Sequence, residues 1–199
     1  TLSLHDALPI CMVSRAKYST DYPCSFMFVA SMNPCPCGYY GDPTHRCVCT
    51  PGQIQRYMNK ISGPLLDRID IQCEISPVPF QDISKAAPGE PSAKIRERVI
   101  KAREVQAERF KDYKGIHCNA QMTERMIHQF AEPDEQGIEL LRMAMEKLSL
   151  SARAYNRILK VARTIADLAG SEQIKPDHIA EAVGYRTLDR GDWAERGHL

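Results

Sequence analysis

The sequence predicts an α/β segment followed by an all-α segment, on three observations. A continuous apolar run, FMFVASM from Phe26 to Met32, stops at Asn33-Pro34. Its length and ending are those of a strand buried on both faces, as in a parallel sheet. Residues 76 to 91 carry prolines at positions 77, 79, 88 and 91, a composition that interrupts helices and central strands alike. From Ser92 onward the apolar residues recur at helical spacing.

Taken in order, residues 1–10, TLSLHDALPI, are native or foreign to the gene, and no function is put on them. They lack the basic start and continuous apolar core of a secretory signal. CMVSRAKYSTDYP has the β-branched and polar mix of a strand end and turn. After the strand, Asn33 lies at its carboxyl end, the edge where open α/β sheets bind ligands. Residues 35–52 are rich in Cys, Gly and Pro and read as a loop. QIQRYMNKIS carries Ile54, Tyr57, Met58 and Ile61 on one helical face, and Gly63-Pro64 breaks that helix. Ile69, Ile71, Cys73 and Ile75 alternate with polar residues and predict a strand.

The first domain thus spans 11–78, a linker 79–92, a helical domain 93–185 and a frayed tail 186–199. The long helix from Ser92 to Lys114 should turn Ile95, Val99, Ala102, Val105 and Phe110 inward. Shorter helices are expected at 123–130 and 134–149. Ser151 should cap a strong helix with Ile158, Leu159, Ala162, Ile165 and Ala166 on one face and Gly170 as its stop. A last helix is expected from Pro176 to about Gly184.

Lysine and arginine number 26 against 25 Asp and Glu, a net charge of +1. The chain has no global electrostatic footprint for nucleic acid, so any such binding rests on a local patch. No apolar run approaches the roughly 18 residues of a membrane span. With no secretory signal and no span, the expected compartment is the cytoplasm. There, clustered cysteines more often bind metal than form disulfides.

Cys35, Cys37, Cys47 and Cys49 form two CxC pairs on a turn-rich loop. Tetrahedral zinc takes four thiolates at about 2.3 Å, and two tight pairs can converge to supply them. His45 is a possible substitute ligand, and free or redox-active thiols are the plainer reading. Cys11, Cys24, Cys73 and Cys118 are isolated, and Cys73 reads as a small core residue. Asn33 could orient a water against a phosphate or simply form the turn before Pro34. Arg68, between Asp67 and Asp70, suits stabilisation of a transferring phosphoryl group or a surface ion pair. Arg153 sits in the first turn of its helix, where a cation opposes the helix dipole; it has another task or is merely solvated. The helix 92–114 holds eight Lys/Arg against four Asp/Glu, enough to face a phosphate backbone or to form a solvated face. Tyr39 and Tyr40 could stack on bases or pack the loop. The sequence contains no GxxxxGK[ST] phosphate loop.

Five separated stretches together resemble the magnesium-chelatase-like AAA+ ATPases of bacteria, the YifB/ComM group. They are FMFVASMNPCPCGYYGDP, CVCTPGQIQRYMNKISGPLLDRIDI, GEPSAKIRERV, IHCNAQM and LSLSARAYNRILKVARTIADLAGSEQIKPDHIAEAVGYRTLDR, within residues 12 to 190. The resemblance implies the C-terminal part of an AAA+ core followed by a helical lid. It implies that Asn33 is the sensor-1 residue, Arg68 an arginine finger offered to the neighbouring subunit's ATP, and Arg153 the sensor-2 arginine. Residues 13–23 resemble the outgoing part of a hairpin that related motors place near DNA, which makes Arg15 and Lys17 candidate DNA contacts. Implied cofactors are ATP and Mg2+; the implied assembly is a homo-oligomeric, hexameric ring, with DNA as partner.

The departures are large. The family's N-terminal protease-like domain, its Walker A loop and its Walker B strand do not appear in these residues, and TLSLHDALPI does not match what precedes CMVSRA in the family. The expectation is a chain that cannot hydrolyse ATP alone. Two other readings stand beside the motor: the ATPase subunit of a chelatase that inserts magnesium into a porphyrin, and a zinc-bearing interaction module.

Overall fold

The computed structural model describes residues 10–23, 26–75, 78, 89–148 and 150–186. The expectations for residues 1–9, for most of the linker and for 187–199 lie outside them. The chain divides into two units at Asn33–Pro34.

The first unit holds an antiparallel hairpin of β1 (Ile10–Arg15) and β2 (Tyr18–Pro23). The register pairs Arg15 with Tyr18 and Val13 with Thr20, so only Ala16 and Lys17 form the loop. A two-residue hairpin loop demands left-handed backbone, and Ala16 adopts φ 49°. The run Phe26–Met32, predicted as a strand buried on both faces, is neither a strand nor buried: Met27 is 87% exposed and Val29 80%. A strand in a parallel sheet is held by neighbours on both edges, and among the described residues none pairs with this one.

In the second unit, the cysteine loop leads into α1 (Pro51–Met58). Thr50 Oγ1 accepts from the Gln53 N–H at 3.4 Å, and Gln53 Oε1 accepts from the Thr50 N–H at 2.9 Å, a reciprocal capping box. Helix α1 stops at Met58, ahead of the expected break; Gly63-Pro64 instead start α2 (Gly63–Leu66), with the proline in its first turn, where the missing N–H costs nothing. The strand expected over 69–75 is absent. Ile71 is 52% exposed, and Cys73 is exposed rather than a core residue. The segment spends its backbone elsewhere: the Gln72 N–H donates to the Tyr185 carbonyl at 2.8 Å.

The helices follow the predicted spans closely, except that the first of them ends at Arg109 rather than Lys114. They are α3 (Ser92–Arg109), α4 (Glu124–Phe130), α5 (Glu135–Leu148), α6 (Ala152–Leu168) and α7 (Pro176–Gly184). Helix α6 lies at the centre, against α3, α4, α7 and the short 3-10 turn Asn119–Gln121. Its buried apolar face is Ala154, Ile158, Leu159, Ala162 and Ala166, the last four packed with Phe110, Met126, Ile127, Leu141, Ile174 and Ile179. Alanines on that face let neighbouring helices approach closely. Gly170 ends α6 at φ 66°, as expected of a C-terminal glycine. Helix α3 departs from expectation. Ala102, Gln106 and Phe110 are buried, but Ile95, Val99 and Val105 are each more than 40% exposed. Only the C-terminal part of α3 reaches the core.

A polar network closes that core. Asp167, 5% exposed, accepts from Arg109 at 2.5 and 2.8 Å, from Asn119 at 2.8 Å and from Arg163 at 3.1 Å. Arg163 also donates to the carbonyls of Glu172 and Ser171, and Asn119 to Thr164 Oγ1. Buried charges are tolerated when paired and hydrogen-bonded in this way. Burial pushes the Asp167 carboxyl up, but the hydrogen bonds from Arg109 and Asn119 and the two arginine charges outweigh it and hold it below the ordinary value. No helix among the described residues is long and apolar enough to cross a membrane.

Candidate functional site

CPCG folds as a turn in which the Gly38 N–H donates to the Cys35 carbonyl at 3.1 Å. Pro36 takes the second position, which its fixed φ suits. The turn sets Cys35 and Cys37 side by side, Sγ to Sγ 3.3 Å. Cys47 approaches to 3.7 Å from Cys35 and 3.5 Å from Cys37. With Cys49, the four sulfurs lie within 4.8 Å of one another. Thiolates bound tetrahedrally at 2.3 Å stand roughly 3.8 Å apart, so the cluster needs only small adjustments to hold a metal ion. Backbone N–H groups of Tyr39 and Val48 donate to the Cys37 sulfur and bring its pKa down to about 6. Burial pushes Cys47 up to about 12 and raises Cys49 as well. Backbone donors of this kind orient and stabilise thiolate ligands.

His45 is not part of the cluster. Its Nδ1 lies 2.8 Å from Thr44 Oγ1 and 3.6 Å from Asp42, and its ring stacks on Tyr39 at 4.9 Å. Tyr39 thus packs the loop.

A second constellation surrounds Arg68. The two aspartates beside it are engaged elsewhere. Asp67 accepts from Ser151 Oγ at 3.0 Å and from Arg186 at 3.4 Å, while Asp70 pairs with Arg157. Arg68 is exposed, and its guanidinium donates to the Pro64 carbonyl at 2.8 Å. The surface ion pair with Asp67 or Asp70 is therefore not formed. Ser151 also accepts from the Ala154 N–H at 3.2 Å, so one hydroxyl caps α6 and grips the residue before Arg68. Arg153, two residues further, is exposed and has no salt-bridge partner among the described residues. The structure brings Arg68 and Arg153 to either side of one junction. Asn33 belongs to the first unit and is exposed. Arg15 and Lys17 flank the hairpin tip, also exposed.

Sequence reasoning misses Arg186. Composition places it in a frayed tail, yet it is 1% exposed and reaches the Ile69 carbonyl at 2.5 Å. Its presence in VGYRTLDR, the end of the last matching stretch, is the available signal.

Comparison with known proteins places the chain in a family. The family model for magnesium chelatase, subunit ChlI, matches residues 8–83, and that for its C-terminal region matches residues 89–186. Competence protein ComM of Haemophilus influenzae is 42% identical over 180 residues, which are 90% of this chain and 34% of that protein. The uncharacterized protein YifB of Escherichia coli is 42% identical over 179 residues, 89% of this chain and 34% of its own length. An uncharacterized protein of Mycobacterium bovis is 36% identical over 165 residues. The chain spans about a third of the length of the curated relatives it matches. With both family models matching in order and these relatives aligned over most of its length, the chain belongs to the magnesium-chelatase-like AAA+ family, the group of YifB and ComM.

Proposed function

We propose that this chain supplies the C-terminal half of an ATP site in a ring-forming motor, with DNA as its track. Arg68 would stabilise charge on the phosphoryl group transferred in the neighbouring subunit, and Arg153 would hold phosphate from the lid. Asn33 would orient the attacking water. The phosphate loop and the magnesium-binding acidic strand are not found in these residues, so the ATP and Mg2+ sites would be completed by other parts of a longer protein. Arg15 and Lys17 would touch the DNA backbone. Zinc is the metal the four thiols fit best, since tetrahedral thiolate sites favour it.

The observation that carries this reading is the state of Arg68. A surface arginine between two aspartates ordinarily pairs with one of them. Here both are held by other groups, which leaves the guanidinium exposed for an outside anion. The test is Arg68→Ala in the full-length protein. We expect kcat for ATP to fall about a thousandfold, and activity to return when these subunits are mixed with subunits that retain Arg68 but lack a working phosphate loop. Unchanged kcat would refute the role.

The name of the matching family also favours a chelatase subunit acting with a porphyrin-binding partner. DNA-stimulated ATPase activity without porphyrin capture decides for the motor, and porphyrin capture without DNA stimulation decides for the chelatase.

A further inference from the structure

We propose that Arg186 and Asp67 form a clamp that makes Arg68 move as one body with helices α6 and α7. This rests on the reading of Arg68 as an arginine finger and names what controls it. The argument begins with burial. Arg186 is 1% exposed, and an arginine is almost never so buried unless each part of its fork is used. One Nη donates to the carbonyl of Ile69 at 2.5 Å, and the other faces Asp67 Oδ1 at 3.4 Å. Those are the residues immediately after and before Arg68. A single guanidinium thus brackets the residue.

The bracket is reinforced from the same helices. The Gln72 N–H donates to the carbonyl of Tyr185 at 2.8 Å, and Arg157 on α6 pairs with Asp70. Ser151, the cap of α6, donates to Asp67 at 3.0 Å. Segment 67–72 is therefore fastened to the first turn and middle of α6 and to the end of α7. The side chain of Arg68 is exposed beside this fastening, with its guanidinium on the Pro64 carbonyl.

The consequence is mechanical. The first turn of helix α6 carries Arg153, the residue proposed to read phosphate from the lid. A displacement of α6 on phosphate binding would be passed to the segment carrying Arg68, and so to the neighbouring subunit. Arg186 and Asp67 act through Arg68 and are positioning residues.

The experiment is a double-mutant cycle on ATPase kinetics in the full-length protein. Arg186→Lys keeps the charge but cannot span a carbonyl and a carboxylate. We expect it to lower kcat roughly tenfold to a hundredfold, as misplacement by about 1 Å does, with KM for ATP changed less than about twofold, since the finger acts in the transition state. Asp67→Asn, at a half-buried site whose carboxylate is 24% exposed, preserves shape and should lower kcat in the same way; it carries the test if Arg186→Lys does not fold. In the Arg68→Ala background neither substitution should lower kcat further, because the clamp has nothing left to aim. If Arg68→Ala abolishes turnover but the clamp variants leave kcat intact, or if they lower it further without Arg68, the clamp is refuted and the finger stands. If Arg68→Ala itself leaves kcat unchanged, the finger reading fails first.

Discussion

Asp167 takes hydrogen bonds from three side chains on a carboxylate that is 5% exposed. Replacing it by Asn keeps the shape and leaves Arg109 and Arg163 without a counter-charge. The expected cost is about 3–5 kcal/mol, read as a lowered urea midpoint of the helical unit. The pH dependence has a definite sign. The folded carboxyl is held below its ordinary value, so its contribution is complete above the unfolded value of about 4 and is lost as pH falls through the folded one. The midpoint should therefore stay level from neutral pH to about 5 and drop below about 4, and the Asn variant should lack that component. None of this is legible in the sequence. Arg163 and Asp167 stand four apart on one helix, but Arg109 and Asn119 come from positions 58 and 48 residues away. Such partners are brought together only by the packing of α3 and of the 3-10 turn Asn119–Gln121 against α6. Asp67 and Asp70 mislead for a related reason: their adjacency to Arg68 is visible in the sequence, whereas their partners Ser151, Arg157 and Arg186 are not.

At the scale of elements, the helices and the strand-and-turn character of residues 11–23 are legible, and the two expected strands further along are not. Helical hydrogen bonds are local, so Ser151, Gly170 and the apolar spacing of α6 mark the helix without help from the rest of the chain. Strands draw their bonds from partners, and Phe26–Met32 and Ile69–Ile75 have the composition of strands with no partner strand among the described residues. The inward face of α3 differs from expectation because spacing shows which residues share a face, not how far a neighbour extends along it. The cysteine loop is legible as four candidate ligands; their convergence comes from the turn at Gly38. The proposed zinc should be found at one ion per chain by elemental analysis. Cys37→Ser with Cys49→Ser should abolish it while leaving the far-ultraviolet spectrum and the midpoint of the helical unit nearly unchanged, because its core is built from Phe110 and residues after it. Collapse of the helices in that variant would show that the loop supports more than itself.

For the whole molecule, family membership is legible because five separated motifs agree, and both family models match in the same order. The proposed track is legible only as an implication. The net charge of +1 confines any DNA binding to patches, and the hairpin tip offers one, with Arg15 and Lys17 exposed around the left-handed Ala16. Arg15→Ala with Lys17→Ala in the full-length protein should weaken binding to single-stranded DNA about equally for all sequences. It should also reduce the slope of log affinity against log salt by about 0.7 for each phosphate that is no longer neutralised. An unchanged slope would remove the hairpin from the DNA interface.

The four sulfurs have one more consequence, in the unfolded chain rather than the folded one. They come from residues 35 to 49, and Thr50, the cap of α1, follows at once. A bound metal would act as a cross-link closing this loop, restricting the conformations open to the denatured protein. For a covalent bridge over a similar span, that restriction is worth about 3 kcal/mol. Removing the ion would restore that freedom next to the cap. The first turn of α1 should then be the part of the second unit whose order depends most directly on metal.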